Sequence, residues 1–111
     1  MARTTRSTLP ATRDALTVLG SQVATARREL GWTAAELAER LGVSAPLVSR
    51  IEAGHPSVQV GTMFDAAVLC GVPLFAADPA ELGRLAEAER NRVSLLPRRV
   101  RRQRVELSDD F

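Results

Sequence analysis

The chain has 111 residues, enough for one small domain, and 45% of them are hydrophobic and 25% charged. This balance is typical of soluble globular proteins, and no apolar run approaches the roughly 18 residues that a membrane span requires. One cysteine excludes an internal disulfide framework, and no secretory signal is recognisable, so we expect a cytoplasmic protein.

The formal net charge is +2, and it is unevenly distributed. Residues 1–14 carry three Arg against one Asp, and residues 98–111 carry five Arg against three acids. Residues 15–75 carry four Arg against five acids. The positive charge therefore lies at the two ends of the chain.

The first predicted helix covers residues 10–30, where apolar residues recur every three or four positions. These residues are Leu16, Leu19, Val23, Ala26 and Leu30. Gly31 ends this helix. Thr33 and Glu36 have the capping-box spacing that predicts the start of a second helix, over about 34–41. Gly42 ends it, because glycine adopts the left-handed conformation without steric cost.

Ser44 is the predicted N-cap of a third helix, which ends before Gly54. Pro46 is tolerated in its first turn, where N–H groups lack helical partners. Two helices joined by a glycine-containing turn form a helix-turn-helix, whose second helix can enter a DNA major groove. Ala38 is placed where the two helices would cross, and a larger side chain there would force them apart.

A fourth helix is predicted over about 58–70 and a fifth from Asp78-Pro79 to about residue 93. Residues 97–111 are too polar to bury a core of their own and are interpreted as a tail. The predicted fold is all-α, with five helices and a C-terminal tail.

The stretch TAAELAERLGVSAPLVSRIEAG resembles the Xre/Cro-type helix-turn-helix regulators, small DNA-binding domains with a lambda-repressor-like fold. The matching residues are Leu37, Ala38, Gly42, Val43, Ser44, Ile51, Glu52 and Gly54. The resemblance covers about residues 15–75 and implies a transcriptional regulator, here a repressor, that binds double-stranded DNA sequence-specifically. It also implies a structural ion pair between Arg27 and Glu52.

The resemblance places five residues of the third helix toward the groove: Ser44, Ala45, Pro46, Ser49 and Arg50. Among them only Arg50 can contact guanine bidentately, which is worth about 1–3 kcal/mol of discrimination. The alternative for Arg50 is an exposed arginine on a solvated helix face. One strongly discriminating side chain can specify only a short DNA site. We therefore expect a homodimer, with contacts from helix five at Leu82, Leu85 and Ala86.

Ala34 departs from the family, which usually has a phosphate-binding glutamine at this position. The expected phosphate contacts are instead Thr33, Ser44 and His55, together with helix N-termini. Because residues 15–75 are formally negative, we expect terminal arginines to supply further contacts. These are Arg3, Arg6, Arg98, Arg99, Arg101, Arg102 and Arg104. The chain is thus divided into a basic arm (1–14), the helix-turn-helix domain (15–75), an additional helix (76–96) and the tail (97–111).

The stretch GHPSVQVGTMFDAAVLCGVPLF, with LLPRRVR and DDF further on, resembles HipB-like antitoxins, which are encoded beside a HipA-type kinase toxin. It implies an alternative function, in which the tail contacts a toxin and DNA binding autoregulates the operon. A third interpretation is a protein-interaction module with weak DNA binding, favoured by Ala34 and the negative core.

Catalytic chemistry has little support in this sequence. With one histidine, His55, and one cysteine, Cys70, a familiar His/Cys metal site would need ligands from several chains. Cys70 lies on an apolar helix face and is interpreted as a small buried hydrophobic residue. The carboxylates fit exposed helix faces or caps. We expect no enzyme activity, no cofactor and no metal.

Overall fold

The computed structural model describes residues 7–100, which form five α-helices. They are α1 (Pro10–Glu29), α2 (Ala34–Leu41), α3 (Ala45–Glu52), α4 (Val60–Leu69) and α5 (Pro79–Ser94). Residues 7–100 contain no strand, and one isolated bridge joins Leu74 to Ala77. The predicted all-α fold of five helices is confirmed. None of these helices is long and apolar enough to cross a membrane.

Capping boxes begin two of the helices. Thr33 Oγ1 accepts the Glu36 N–H at 3.1 Å, and the Glu36 carboxylate accepts the Thr33 N–H at 3.4 Å. Asp78 and Glu81 repeat this arrangement at the start of α5, and the N–H of Glu81 lowers the pKa of the Asp78 carboxyl. Gly42 ends α2 with φ 70°, as its position predicted. Local sequence therefore determines most helix ends.

The predicted start of helix four, at residue 58, is wrong by two residues. The Val58 N–H donates to the His55 carbonyl at 3.2 Å, and the Val58 side chain packs half-buried against the core. Val58 thus belongs to the loop, and Gln59 is the N-cap, without a side-chain capping bond. The helix also ends at Leu69, with Cys70 as its C-cap.

The core lies between the first four helices. α1 packs against α3 and α4, and α2 packs against the same two helices. Four side chains are fully buried: Val23, Leu37, Val48 and Ile51. α5 is different, because none of its residues is buried and only Leu82 packs partly against the core. One apolar face of α5 is therefore left without a partner among residues 7–100.

The backbones of α1 and α3 come into direct contact. A β-carbon at Gly20 would lie 2.6 Å from the Ile51 carbonyl oxygen. A β-carbon at Gly54 would lie 2.5 Å from the Leu16 carbonyl oxygen, and Gly54 also has φ 68°. Both positions require glycine, because any side chain would push the two helices apart. This contact fixes the position of α3 relative to α1.

Candidate nucleic-acid interface

The two sides of α3 have opposite environments. Val48 and Ile51 have no exposed surface and hold one side of the helix against the core. The other side carries four of the predicted base-reading residues at one-turn spacing: Ala45, Pro46, Ser49 and Arg50. All four are exposed, as is the N-cap Ser44. The structure thus brings the five predicted readers together on one accessible surface.

Arg50 has the chemistry best suited to base recognition on this surface. Its side chain is exposed, and it makes no ion pair within residues 7–100. Its carbonyl accepts the His55 N–H at 2.9 Å, which closes the loop after α3. The guanidinium is therefore available for the two acceptors of guanine in the major groove.

An ion pair attaches the end of α3 to α1. Arg27 donates from Nε to Glu52 Oε2 at 2.5 Å and from Nη2 to Glu52 Oε1 at 3.1 Å. Its Nη1 donates to the Trp32 carbonyl at 2.7 Å. The two charged side chains are 10% and 14% exposed. The hydrogen bonds to Glu52 raise the pKa of Arg27, so the pair stays charged. The pair implied by the family resemblance is thus in contact here.

Trp32 makes a second contact, which sequence patterns do not indicate. The Arg40 guanidinium lies over its ring, 4.2 Å from the ring centroid, in cation–π geometry. Because the Trp32 carbonyl also accepts from Arg27, this residue connects α1, the loop and α2. The stacking joins residues of a loop and a helix, and nothing in the local pattern marks it.

The capping interactions limit two of the predicted phosphate contacts. Thr33 Oγ1 lies 3.2 Å from Glu36 Oε1, to which its hydroxyl donates, and it also accepts the Glu36 N–H. Because the Glu36 carboxylate lies at the N-terminus of α2, it occupies the position where a phosphate would bind. Ser44 Oγ accepts the Leu47 N–H at 3.3 Å but keeps its own hydrogen to donate. Ser44 is therefore the better placed of the two.

His55 lies in the exposed loop that follows α3. Its Nδ1 accepts the Ser57 N–H at 3.1 Å, and the Ser57 hydroxyl lies 2.7 Å from the same nitrogen. A backbone N–H can only donate, so in this arrangement Nδ1 is the acceptor and the ring hydrogen lies on Nε2. Nε2–H can thus donate a hydrogen bond to a phosphate oxygen.

The remaining predicted contacts lie near the ends of the chain. Arg98 and Arg99 are exposed beyond α5. The other predicted arginines, Arg3, Arg6, Arg101, Arg102 and Arg104, lie outside residues 7–100. Cys70 is buried, and burial raises the pKa of its thiol. Within the described part of the chain, no three His, Cys, Asp or Glu side chains are grouped as a metal site would require.

The comparisons with known proteins agree with this geometry. The family model described as a helix-turn-helix domain matches residues 18–82, which is more than half of the chain. No curated protein and no solved structure matches this chain. The matched region contains α2, the turn at Gly42, α3 and the Arg27–Glu52 pair. The chain therefore belongs to the helix-turn-helix domain family and is a DNA-binding protein of the Xre type.

Proposed function

We propose that this chain is a transcriptional regulator, a repressor that binds double-stranded DNA sequence-specifically as a homodimer, with α3 in the major groove. One observation carries the proposal. The apolar side of α3 is locked into the core by Val48 and Ile51, while the opposite side is exposed and presents an unpaired Arg50 within the described residues. A helix held in this way is suited to contact base edges.

Each reader has a distinct role in the proposal. Arg50 donates bidentately to guanine O6 and N7, and Ser44 and Ser49 make hydrogen bonds to either base. Ala45 and Pro46 have no side-chain donor and contact thymine methyl groups. Because only one of these contacts discriminates strongly between bases, one copy of the protein recognises only a short DNA sequence. A dimer would read two half-sites roughly 34–36 Å apart.

Phosphate binding must come largely from outside the helical core. Residues 15–75 carry four Arg against five acids, so they supply little of the charge that releases counterions from DNA. We propose that the N-terminal arm (1–14) and the tail (97–111) provide it, with Ser44 and His55 making closer contacts. Deleting residues 97–111 should then lower both the affinity and its salt dependence.

Fluorescence anisotropy on the protein's own upstream DNA and on a shuffled duplex tests the proposal. We expect binding to the first to be tighter by at least about 10³-fold at physiological salt. Arg50→Ala should weaken specific binding by about 1–3 kcal/mol and leave binding to the shuffled duplex nearly unchanged. Equal, weak binding to both duplexes would contradict the proposal.

Arg28→Ala is the matched control for this experiment. Arg28 is an exposed arginine near the end of α1, outside the proposed reading surface. The substitution removes the same charge as Arg50→Ala and should leave the ratio of the affinities for the two duplexes unchanged. If Arg28→Ala and Arg50→Ala lower specific binding equally, Arg50 acts only as a charge and does not read a base.

A second candidate function is an antitoxin whose DNA binding autoregulates its operon. The C-terminal sequence favours it, since Glu106, Asp109, Asp110 and Phe111 place acidic residues and an aromatic anchor after a basic run. A kinase-like toxin encoded by the neighbouring gene would support this function. Pull-down of that toxin by the full chain, and not by a chain lacking residues 97–111, would assign the contact to the tail.

A protein-interaction module with weak DNA binding is the third candidate. It is favoured by the α2 N-terminus, where the Glu36 carboxylate occupies the position that an anion would take and Ala34 offers no side-chain donor. The same titration decides it. Binding that is weak and equal on both duplexes, with Arg50→Ala without effect, would support this candidate over the regulator.

A further inference from the structure

The contact between α1 and the end of α3 runs toward the start of α1. A β-carbon at Gly20 would meet the Ile51 carbonyl oxygen. A β-carbon at Gly54 would instead meet Leu16, about one turn earlier in α1. Between these two contacts the chain leaving α3 therefore advances along α1 toward its N-terminus. His55 comes next, with its Cα about 3.8 Å further along the chain, so the loop after α3 begins beside the first turns of α1.

Arg13 lies on the side of α1 that faces this loop. The backbone of Leu16 and Thr17 lies against the end of α3, and Arg13 precedes them by about one turn, in a direction between the two. Asp14, the one acid in the first half of α1, points about 100° away from Arg13. The Arg13 side chain is exposed and makes no ion pair within residues 7–100. Its guanidinium is therefore an uncompensated positive charge at this end of α1.

His55 supplies a second donor beside the same contact. Its Nδ1 accepts the Ser57 N–H at 3.1 Å, which leaves the ring hydrogen on Nε2. Its own N–H donates to the Arg50 carbonyl at 2.9 Å, so main-chain bonds hold the loop in place. Both His55 and Arg13 are exposed. A guanidinium fork and a single N–H donor together suit the several acceptor oxygens of one phosphate.

The position of this donor pair suits a contact with the DNA backbone. A recognition helix contacts base edges with its N-terminal residues, so its C-terminal end lies toward the phosphates that border the groove. Residues 15–75 carry four Arg against five acids, and Arg13 lies just outside that range. Of the three arginines in residues 1–14, it is the one within α1. The fold therefore brings one arginine of the basic arm to the end of α3.

We propose that Arg13 and His55 together bind one backbone phosphate of duplex DNA, at the C-terminal end of α3. Arg13 donates from its guanidinium and His55 donates from Nε2–H. The inference rests on the proposed function and deepens it, because it adds α1 to the surface that contacts DNA. A phosphate contact positions the protein and carries no sequence information, so this pair acts equally on every duplex.

Anisotropy titrations at several salt concentrations test the site, on the upstream DNA and on the shuffled duplex. Arg13→Ala should weaken binding to both duplexes by the same factor, about tenfold, and reduce the slope of log K against log salt by about 0.9. Arg13→Lys keeps the charge and should retain the slope. Arg28→Ala is the matched control, an exposed arginine at the other end of α1 that should change neither quantity. If folded Arg13→Ala, checked by circular dichroism, behaves as Arg28→Ala does, the inference is wrong.

A double-variant cycle tests whether the two side chains share one phosphate. His55→Asn removes the Nε2–H donor, while the asparagine oxygen can still accept the Ser57 N–H and keep the turn. If the phosphate is shared, the affinity loss of Arg13→Ala/His55→Asn should differ by at least about twofold from the product of the two single losses. Losses that simply multiply would place the residues on separate phosphates and overturn the shared site.

The two duplexes separate this inference from the proposed function. Specific binding to the upstream DNA, with Arg13→Ala equal to Arg28→Ala, would overturn the phosphate site and leave the regulator. Weak and equal binding to both duplexes, with a reduced salt slope in Arg13→Ala, would overturn the regulator and leave the phosphate site. No measurable affinity for either duplex at low salt would overturn both.

Discussion

Replacing Arg27 by methionine should destabilise the protein more than any other single surface or near-surface charge change. The substitution leaves the Glu52 carboxylate, which is 14% exposed, without its two donors. It also removes the donor of the Trp32 carbonyl. Breaking a buried ion pair on one side costs about 3–5 kcal/mol, and the residual exposure places this pair near the lower limit, at about 3 kcal/mol.

Urea unfolding followed by fluorescence measures this change, because Trp32 is the only tryptophan and lies beside the pair. Circular dichroism should give the same transition, which checks that the signal reports unfolding of the whole domain. A loss of about 3 kcal/mol is a large fraction of the roughly 5–15 kcal/mol that stabilises a typical domain. The urea midpoint of Arg27→Met should therefore fall strongly.

Two further variants test whether the unpaired Glu52 carboxylate causes the loss of stability. Arg90→Met is the control, since its pair with Glu87 is 68% and 64% exposed and should contribute at most about 1 kcal/mol. The double variant Arg27→Met/Glu52→Leu removes both charges and should recover most of the lost stability. If Arg27→Met costs no more than Arg90→Met, or if the double variant is as unstable as the single one, the stranded carboxylate is not the cause.

Three other predictions concern packing, a helix cap and the cysteine. Gly20→Ala should destabilise by about 1–3 kcal/mol in urea unfolding, because its β-carbon meets the Ile51 carbonyl, whereas Gly61→Ala, with nothing within 4 Å, should be neutral or slightly stabilising. Because the folded-state pKa of Asp78 is below its ordinary value of 3.8, its contribution is present above about pH 4 and lost as the pH falls further. Thermal unfolding of Asp78→Asn should lack this acid dependence, and an identical dependence would exclude the cap as its source. Burial raises the pKa of the Cys70 thiol, so a thiol reagent should label the native protein far more slowly than the urea-unfolded chain, and equal rates would contradict the burial.

The helix ends that were predictable are those with a local chemical signal. Thr33 and Glu36 formed the expected box, and Gly42 took the left-handed conformation that ends α2. The start of α4 was missed because Gln59 supplies no side-chain cap and Val58 is held by a turn from His55. Where capping is carried by backbone alone, helical periodicity extends past the true boundary.

Contacts between distant residues explain what sequence patterns did not reveal. Gly20 touches the backbone of Ile51, and nothing near Gly20 in the chain indicates that partner. Phe75 and Ala76 form a turn without the glycine or asparagine that usually signals one. The exposed positions of α3 proposed to read DNA were given by the resemblance to helix-turn-helix regulators, and all of them are exposed. The capping box that predicted α2 also predicts that the Thr33 hydroxyl interacts with Glu36. The motif therefore already indicated that this hydroxyl is less available to bind a phosphate.

Because the α1 and α3 backbones are in direct contact, the residues that support the proposed reading helix are largely separate from the residues proposed to read DNA. Gly20 and Gly54 set the pose of α3 through main-chain atoms, and Val48 and Ile51 anchor its inner side. Of the outward residues, Ser44 adds to that support as the N-cap of α3, whereas Ala45, Pro46, Ser49 and Arg50 are exposed and lie outside the core. Mutations at these four positions should therefore cost little in folding, so under the proposed function related chains could acquire new operators while sharing one scaffold. The same separation makes α3 a suitable site for transplanting another protein's reading residues.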